Sequence, residues 1–249
     1  MALQSGETDK VDKLLEREPN VTIFLRPIAA PAALGLAGFA GSTWITASWL
    51  AGWWGGPTAP TIFFPFVAFW GGLGQFIAGF FGYAARDILV TIVHVLWGSF
   101  WMSVGLLYLL VATGTLPPHP VHEHFAEIAS WFIVLSFFTW SAALAATARD
   151  MILCGVLTTL AIGSTIACCL FSYGSGIEAG IKVAAYFWII SSILAWWRVT
   201  AYLVEEAYGK GSSLMKWFPV FPFPIEKKSA YLVPGLWEPG VTRAKRGII

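Results

Sequence analysis

Between Arg26 and Glu205 the chain runs for 178 residues with only nine charged side chains, out of 29 in the whole sequence of 249. No fold can wrap so long a stretch in a water-facing surface. Soluble domains carry about 25% charged residues, whereas this chain carries 12%. The uncharged stretch breaks into six apolar runs, each near the ~20 residues that a helix needs to cross a bilayer. Within lipid every backbone polar group must find its partner inside the protein, and runs of this length do so as helices. The expected fold class is therefore all-α, a polytopic membrane protein with six transmembrane helices. The spans are expected at about 28–50, 61–83, 88–113, 125–147, 151–173 and 179–202.

The remaining charge sits at the ends, with nine charged residues in the first 26 positions and eleven from Glu205 onward. This divides the chain into a polar tail over 1–27, a membrane domain over 28–206 and a second tail over 207–249, rich in proline and aromatics. Lysine and arginine accumulate on the cytosolic side of membrane proteins. With both termini cytosolic, thirteen of the fifteen basic residues face inward, Arg198 lies near the inner end of span six, and only Lys182 faces out. In that orientation the sequon Asn20-Val21-Thr22 is never glycosylated. The start of the chain lacks the basic-then-apolar pattern of a cleavable signal peptide. A net charge of +1 gives no reason to expect nucleic acid as a partner. The expected partner is the lipid bilayer, and the plasma membrane is the expected location. Cys154, Cys168 and Cys169 share one span, and helical spacing puts the first some 21 Å from the others, too far for a disulfide. No cofactor and no metal are expected, and no phosphate loop, dinucleotide fingerprint or catalytic triad occurs, so enzyme chemistry is not expected.

Inside the second span, Phe69-Trp70-Gly71-Gly72-Leu73-Gly74-Gln75-Phe76-Ile77-Ala78-Gly79-Phe80 combines four glycines with one amide. Such a segment would be a poor helix in water. In lipid its small residues let neighbouring helices approach, and Gln75 can hydrogen-bond between them or line a path. His94, Trp97, Trp101, Gly105 and Tyr108 recur at helical spacing and share one face of span three. An intramembrane histidine is costly, so His94 is either held neutral by a neighbouring helix or acts as a proton relay. Its unperturbed pKa of about 6.5 suits the second role. Asp87 and Asp150 stand at the starts of spans three and five, where a carboxylate stabilises a helix N-terminus. Arg198, after Trp196-Trp197, is expected to snorkel to the interface; its other reading is an attractor for an anion. The loop His119-Pro120-Val121-His122-Glu123-His124 has the residue types of a zinc or copper site, but three prolines stiffen it and no distant ligand is evident, so a solvated loop is expected.

These stretches resemble the acetate uptake transporter family, GPR1/FUN34/YaaH. Ala30-Pro31-Ala32-Ala33-Leu34-Gly35-Leu36, followed by Gly38-Phe39, is similar to its first-helix motif Asn-Pro-Ala-Pro-Leu-Gly-Leu with Gly-Phe. Gly71-Gly72, Gln75 and Ala78-Gly79 follow its Gly-Gly-x-x-Gln-x-x-Ala-Gly pattern, and Trp97-Gly98-Ser99-Phe100-Trp101-Met102-Ser103 its Tyr-Gly-x-Phe-Trp-x-Ser pattern. The motif residues are thus Pro31, Leu34, Gly35, Gly71, Gly72 and Gly79. Ala30 stands for the motif's asparagine, Ala33 for its second proline, and Trp97 for its tyrosine, which removes two donors for a carboxylate.

The resemblance implies a six-helix protomer, commonly a homo-oligomer (a hexamer), passing acetate and other small monocarboxylate anions, often with protons. It also implies an apolar constriction, with Phe39 and Trp97 as two walls and Leu160 as the third. Hydroxyl and amide groups such as Ser42, Thr43, Thr46 and Gln75 would then replace water around the cargo, while the apolar rings exclude bulk solvent. The alternative is a non-transporting membrane paralogue serving as sensor, scaffold or assembly subunit, which the altered first-helix motif supports.

Overall fold

The computed structural model describes residues 29–85, 87–117, 125–174, 177–209 and 211–224. The glycosylation sequon and the His119–His124 loop lie outside the described residues. Six long helices account for nearly all of it. They are α1 (Pro31–Leu50), α2 (Ala59–Ala84), α3 (Ile88–Ala112), α4 (Ala126–Ala146), α5 (Met151–Tyr173) and α6 (Ile177–Tyr208). Among the described residues no sheet forms. Five helices, α2 to α6, are long and apolar enough to cross a membrane. The sixth, α1, carries Gly35, Gly38, Gly41, Ser42, Thr43, Thr46 and Ser48 and is less apolar for that reason. It can carry them because it is walled by protein, with α2 on one side and α6 on the other.

Each helix packs on the next in sequence, and α1 against α6 closes the ring. The thinnest seam is α3 against α4. Outward faces present Ile62, Phe69, Phe137, Leu144, Ile193 and Leu203, all exposed, as a lipid-facing surface requires. Inside the ring, Phe132 of α4 stacks on Phe171 of α5 and on Trp188 of α6, each with centroids 5.8 Å apart. These belong to one buried cluster that also takes in Phe39, Trp97 and Leu160. The protein is an all-α, multi-pass membrane protein.

Two local features were not anticipated. First, α2 is not uniformly α-helical, because Ala68–Leu73 form a π-helical turn between the α segments Ala59–Val67 and Gly74–Ala84. Pro65 cannot donate to the helix ladder, and the Gly71-Gly72 pair that follows offers little resistance to widening. The turn presents the Trp70 carbonyl to α1, where a Cβ on Gly38 would come within 2.6 Å of it. Second, α6 continues six residues past the expected end of span six. After a 3₁₀ turn over Ser213–Trp217, the chain returns along the α4–α5 turn. There the Phe223 amide donates to the Arg149 carbonyl at 2.8 Å, and the Met151 amide to that of Phe221 at 3.1 Å. The Trp197 indole donates to the Pro219 carbonyl at 3.0 Å, so part of the second tail is fastened to the helix ring.

Candidate functional site

A cavity of about 80 Å³ opens at the end of the ring where α3 and α5 begin. Its mouth is formed by Asp87, Arg149, Asp150, Arg198 and Tyr202, its walls include Val90, Leu153 and Leu157, and it reaches Phe39, His94 and Leu160. Its α1 wall consists of Ala32, Leu36 and Phe39, spaced as one helical stripe.

The mouth is charged but internally matched. Asp87 caps α3 by accepting from the Val90 amide at 3.1 Å and pairs with Arg149 through both carboxylate oxygens at 3.2 Å. Asp150 caps α5 by accepting from the Leu153 amide at 2.9 Å and pairs with Arg198 at 2.9 Å. The two aspartates therefore do cap their helices as expected, and each also holds an arginine. Arg198 departs from the snorkelling expectation. Its side chain is only 16% exposed, it lies ten residues before the end of α6, and its guanidinium sits 4.5 Å above the Tyr202 ring. It points into the cavity mouth because Asp150 at 2.9 Å offers a partner that the lipid interface does not. Its Nε is buried and finds no acceptor among the described residues.

At the cavity's inner limit Phe39 meets Trp97 edge-on, with centroids 6.5 Å apart and planes at 71°. The Trp97 indole donates to Thr139 of α4 at 3.1 Å, fixing the ring across the bundle. Phe39, Trp97 and Leu160 are each at most 3% exposed. Phe39 and Leu160 line the cavity, whereas Trp97 does not line it and touches it only through Phe39.

On the far side of Phe39 the α1 stripe continues to Thr43 and Thr46. Among the described residues their hydroxyls are buried without partners, as are the Ser42 and Ser136 hydroxyls and the Trp101 indole N–H. Elsewhere in the bundle, buried or half-buried hydroxyls find backbone acceptors: Thr91, Ser99, Thr139, Thr159 and Ser164 bond back to their own helix at 2.6–2.9 Å, and Ser191 of α6 donates to the Val156 carbonyl of α5 at 2.7 Å. Within the six helices these open hydroxyls gather in the half of the ring that the cavity does not enter; one more, Ser212, lies in the segment after α6.

His94 and Gln75 form a single unit. Gln75 is fully buried, donates from Nε2 to the Gly71 carbonyl at 2.8 Å, and sets Oε1 3.2 Å from His94 Nδ1. Gln75 is not a lining residue; it acts on the cavity through His94, which is. The His94 ring lies over Gly35, where any Cβ would overlap it. Of the remaining motif residues, Gly71 abuts Ser42 of α1, Gly72 abuts Met102, Gly79 abuts Val95 of α3, and Pro31 opens α1. Leu34 is exposed on the outer face. The shared face of α3 is as expected: His94, Trp97 and Trp101 are buried, and Tyr108 stacks on Phe64 at 4.4 Å.

Sequence reasoning did not find Thr139, Ser136, Arg149 or Tyr202 as site residues. Thr139 has no local signal. Arg149 and Asp150, adjacent charges in an otherwise bare stretch, could have suggested a matched cluster.

No curated protein sequence matches the chain. Among solved structures, that of the bacterial acetate channel SatP is similar, with a TM-score of 0.64 and 21% identity, covering 74% of this chain and 96% of that one. At that identity the likeness establishes the fold. The profile of the GPR1/FUN34/yaaH family matches residues 16–224, and the chain belongs to that family.

Proposed function

We propose that this protein is a membrane channel or transporter for acetate and similar small monocarboxylates, with the path running through the centre of each protomer. The observation that carries this reading is the cavity that ends on Phe39 and Leu160 while open hydroxyls continue along the same α1 stripe at Thr43 and Thr46. Membership of the family supports it, as does the fold shared with the acetate channel SatP. The charged mouth, with Arg149, Arg198 and Lys216 at one end of the bundle and Lys182 at the other, faces the cytosol in this reading.

The residues divide the work. Arg198 Nε donates to a carboxyl oxygen at the mouth. Phe39, Trp97 and Leu160 form the apolar constriction that excludes bulk water and larger solutes. Thr43 and Thr46 replace the cargo's hydration beyond it, and a hydroxyl already bonded to its own helix is less available for that. The functional unit in this reading is a homo-oligomer, a hexamer by family resemblance, in the plasma membrane. Uptake of labelled acetate into proteoliposomes, with and without a pH gradient, tests the proposal. Protein-dependent uptake above that of protein-free vesicles is expected; its absence for acetate and several other short carboxylates, with well-folded protein, refutes it.

A further inference from the structure

The His94–Gln75 unit fixes a protonation pattern at the cavity floor. The Gly71 carbonyl can only accept, so the Gln75 group facing it at 2.8 Å is the amide nitrogen. The other end of that amide, Oε1, can also only accept, and it lies 3.2 Å from His94 Nδ1. Nδ1 therefore carries a proton. In the neutral ring Nε2 is then a bare lone pair, and among the described residues nothing donates to it. The ring lines the cavity and lies over Gly35, the one residue type that leaves room for it.

The charged and titratable groups around this floor are accounted for. Helix α1 contributes Ala32 and Leu36, and α2 contributes Gln75. From α3 comes Asp87, from the α4–α5 turn Arg149 and Asp150, and from α6 Arg198 and Tyr202. The two aspartates are bonded to the two arginines, so the aspartate and arginine charges lining the cavity cancel. Among the described residues the buried arginine nitrogen without a partner, Nε of Arg198, is at the mouth. A carboxylate reaching the floor meets a lone pair and is repelled. A carboxylic acid presents an O–H that the lone pair accepts.

We propose that His94 is a specificity-determining residue that admits the cargo to the constriction as the protonated acid, whose O–H donates to Nε2. Gln75 is its positioning residue. This rests on the transport reading above and adds to it the form in which the cargo is recognised.

The test combines nitrogen NMR of the histidine-labelled full-length protein in lipid nanodiscs with flux through proteoliposomes. At neutral pH the His94 resonances, assigned by their loss in His94→Leu, are expected to show a neutral ring with the proton on Nδ1. Acetate added at a pH where much of it is protonated is expected to shift the Nε2 resonance, and acetate added at high pH to leave it unmoved. A resting ring protonated on Nε2, or an Nε2 indifferent to acetate at low pH, overturns the proposal. In flux, wild-type uptake should follow the concentration of protonated acid. His94→Leu should lower that component about tenfold, the loss of one hydrogen bond, and His94→Gln, which keeps an acceptor, should recover part of it. Wild-type uptake with the same pH profile in His94→Leu defeats this inference and leaves the transport reading standing. No wild-type uptake at any pH defeats the transport reading itself.

Discussion

The two halves of the helix ring on either side of Phe39 are built on opposite principles. At the Arg149 end the polar groups are strong and mostly paired: two carboxylates cap helices and hold two guanidinium groups, and among the described residues Nε of Arg198 is buried without an acceptor. Beyond Phe39 the polar groups are weak and open, with the hydroxyls of Thr43, Thr46 and Ser136 buried and without partners among the described residues. The contrast separates stability from passage. Matched charges close the helix ring where loops and tail meet, and in the proposed path they would present a passing anion with little net field in which to be trapped. Open hydroxyls contribute little to holding the ring together, but each can turn to a carboxyl group in transit.

The largest effect that tests this division is a stability effect at the mouth. Asp150→Asn leaves Arg198 buried without its counter-charge and weakens the cap of α5. Removing one partner of a buried pair costs about 3–5 kcal/mol, so a large drop in thermal midpoint in detergent is expected. Asp150→Asn combined with Arg198→Met should recover much of it. A single variant as stable as wild type would show that the mouth does not hold the ring. The more exposed pair, Arg149 with Asp87, is the weaker comparison, and Arg149→Ala should cost about 1 kcal/mol or less.

In the other half the outcomes exchange places. Replacing Thr43 and Thr46 together by valine keeps their shape and removes hydroxyls that have no partner among the described residues. The thermal midpoint should stay near wild type while acetate flux falls about three- to tenfold, as expected for one lost hydrogen bond to the cargo. A fall in stability with flux unchanged would reverse the assignment. A small effect is also expected at the boundary between the halves. Trp97→Phe deletes the indole bond to Thr139, which keeps its own bond to the Leu135 carbonyl at 2.6 Å. A loss of about 1 kcal/mol should register as a modest shift in midpoint.

How far the sequence announced this arrangement depends on the range of the interaction. The ring's helices were legible because apolar runs and charge placement are local properties, and the start and end of α5 were read without error. The line His94, Trp97, Trp101 was legible because helical periodicity is local too. Phe39 was picked out by motif resemblance, and the structure puts it at the end of the cavity. What escaped was pairing across the ring. Arg198 next to two tryptophans reads locally as an interfacial anchor, and only the fold brings Asp150, 48 positions away, to its guanidinium. Gln75 and His94 were each noted as polar points in lipid, yet that they are one unit depends on α2 and α3 lying side by side with Gly71 in reach. The π turn was hidden for a related reason, since glycine density signals close packing without specifying the turn that achieves it.

The central claim is that cargo passes between Phe39, Trp97 and Leu160. It is tested most directly by measuring the size cut-off of proteoliposome flux, acetate against butyrate, for wild type and Phe39→Ala in vesicles of the same lipid. The account predicts that wild type strongly favours acetate and that Phe39→Ala admits butyrate at a comparable rate. Acetate flux in wild type with the same cut-off in Phe39→Ala would place the path elsewhere and contradict it.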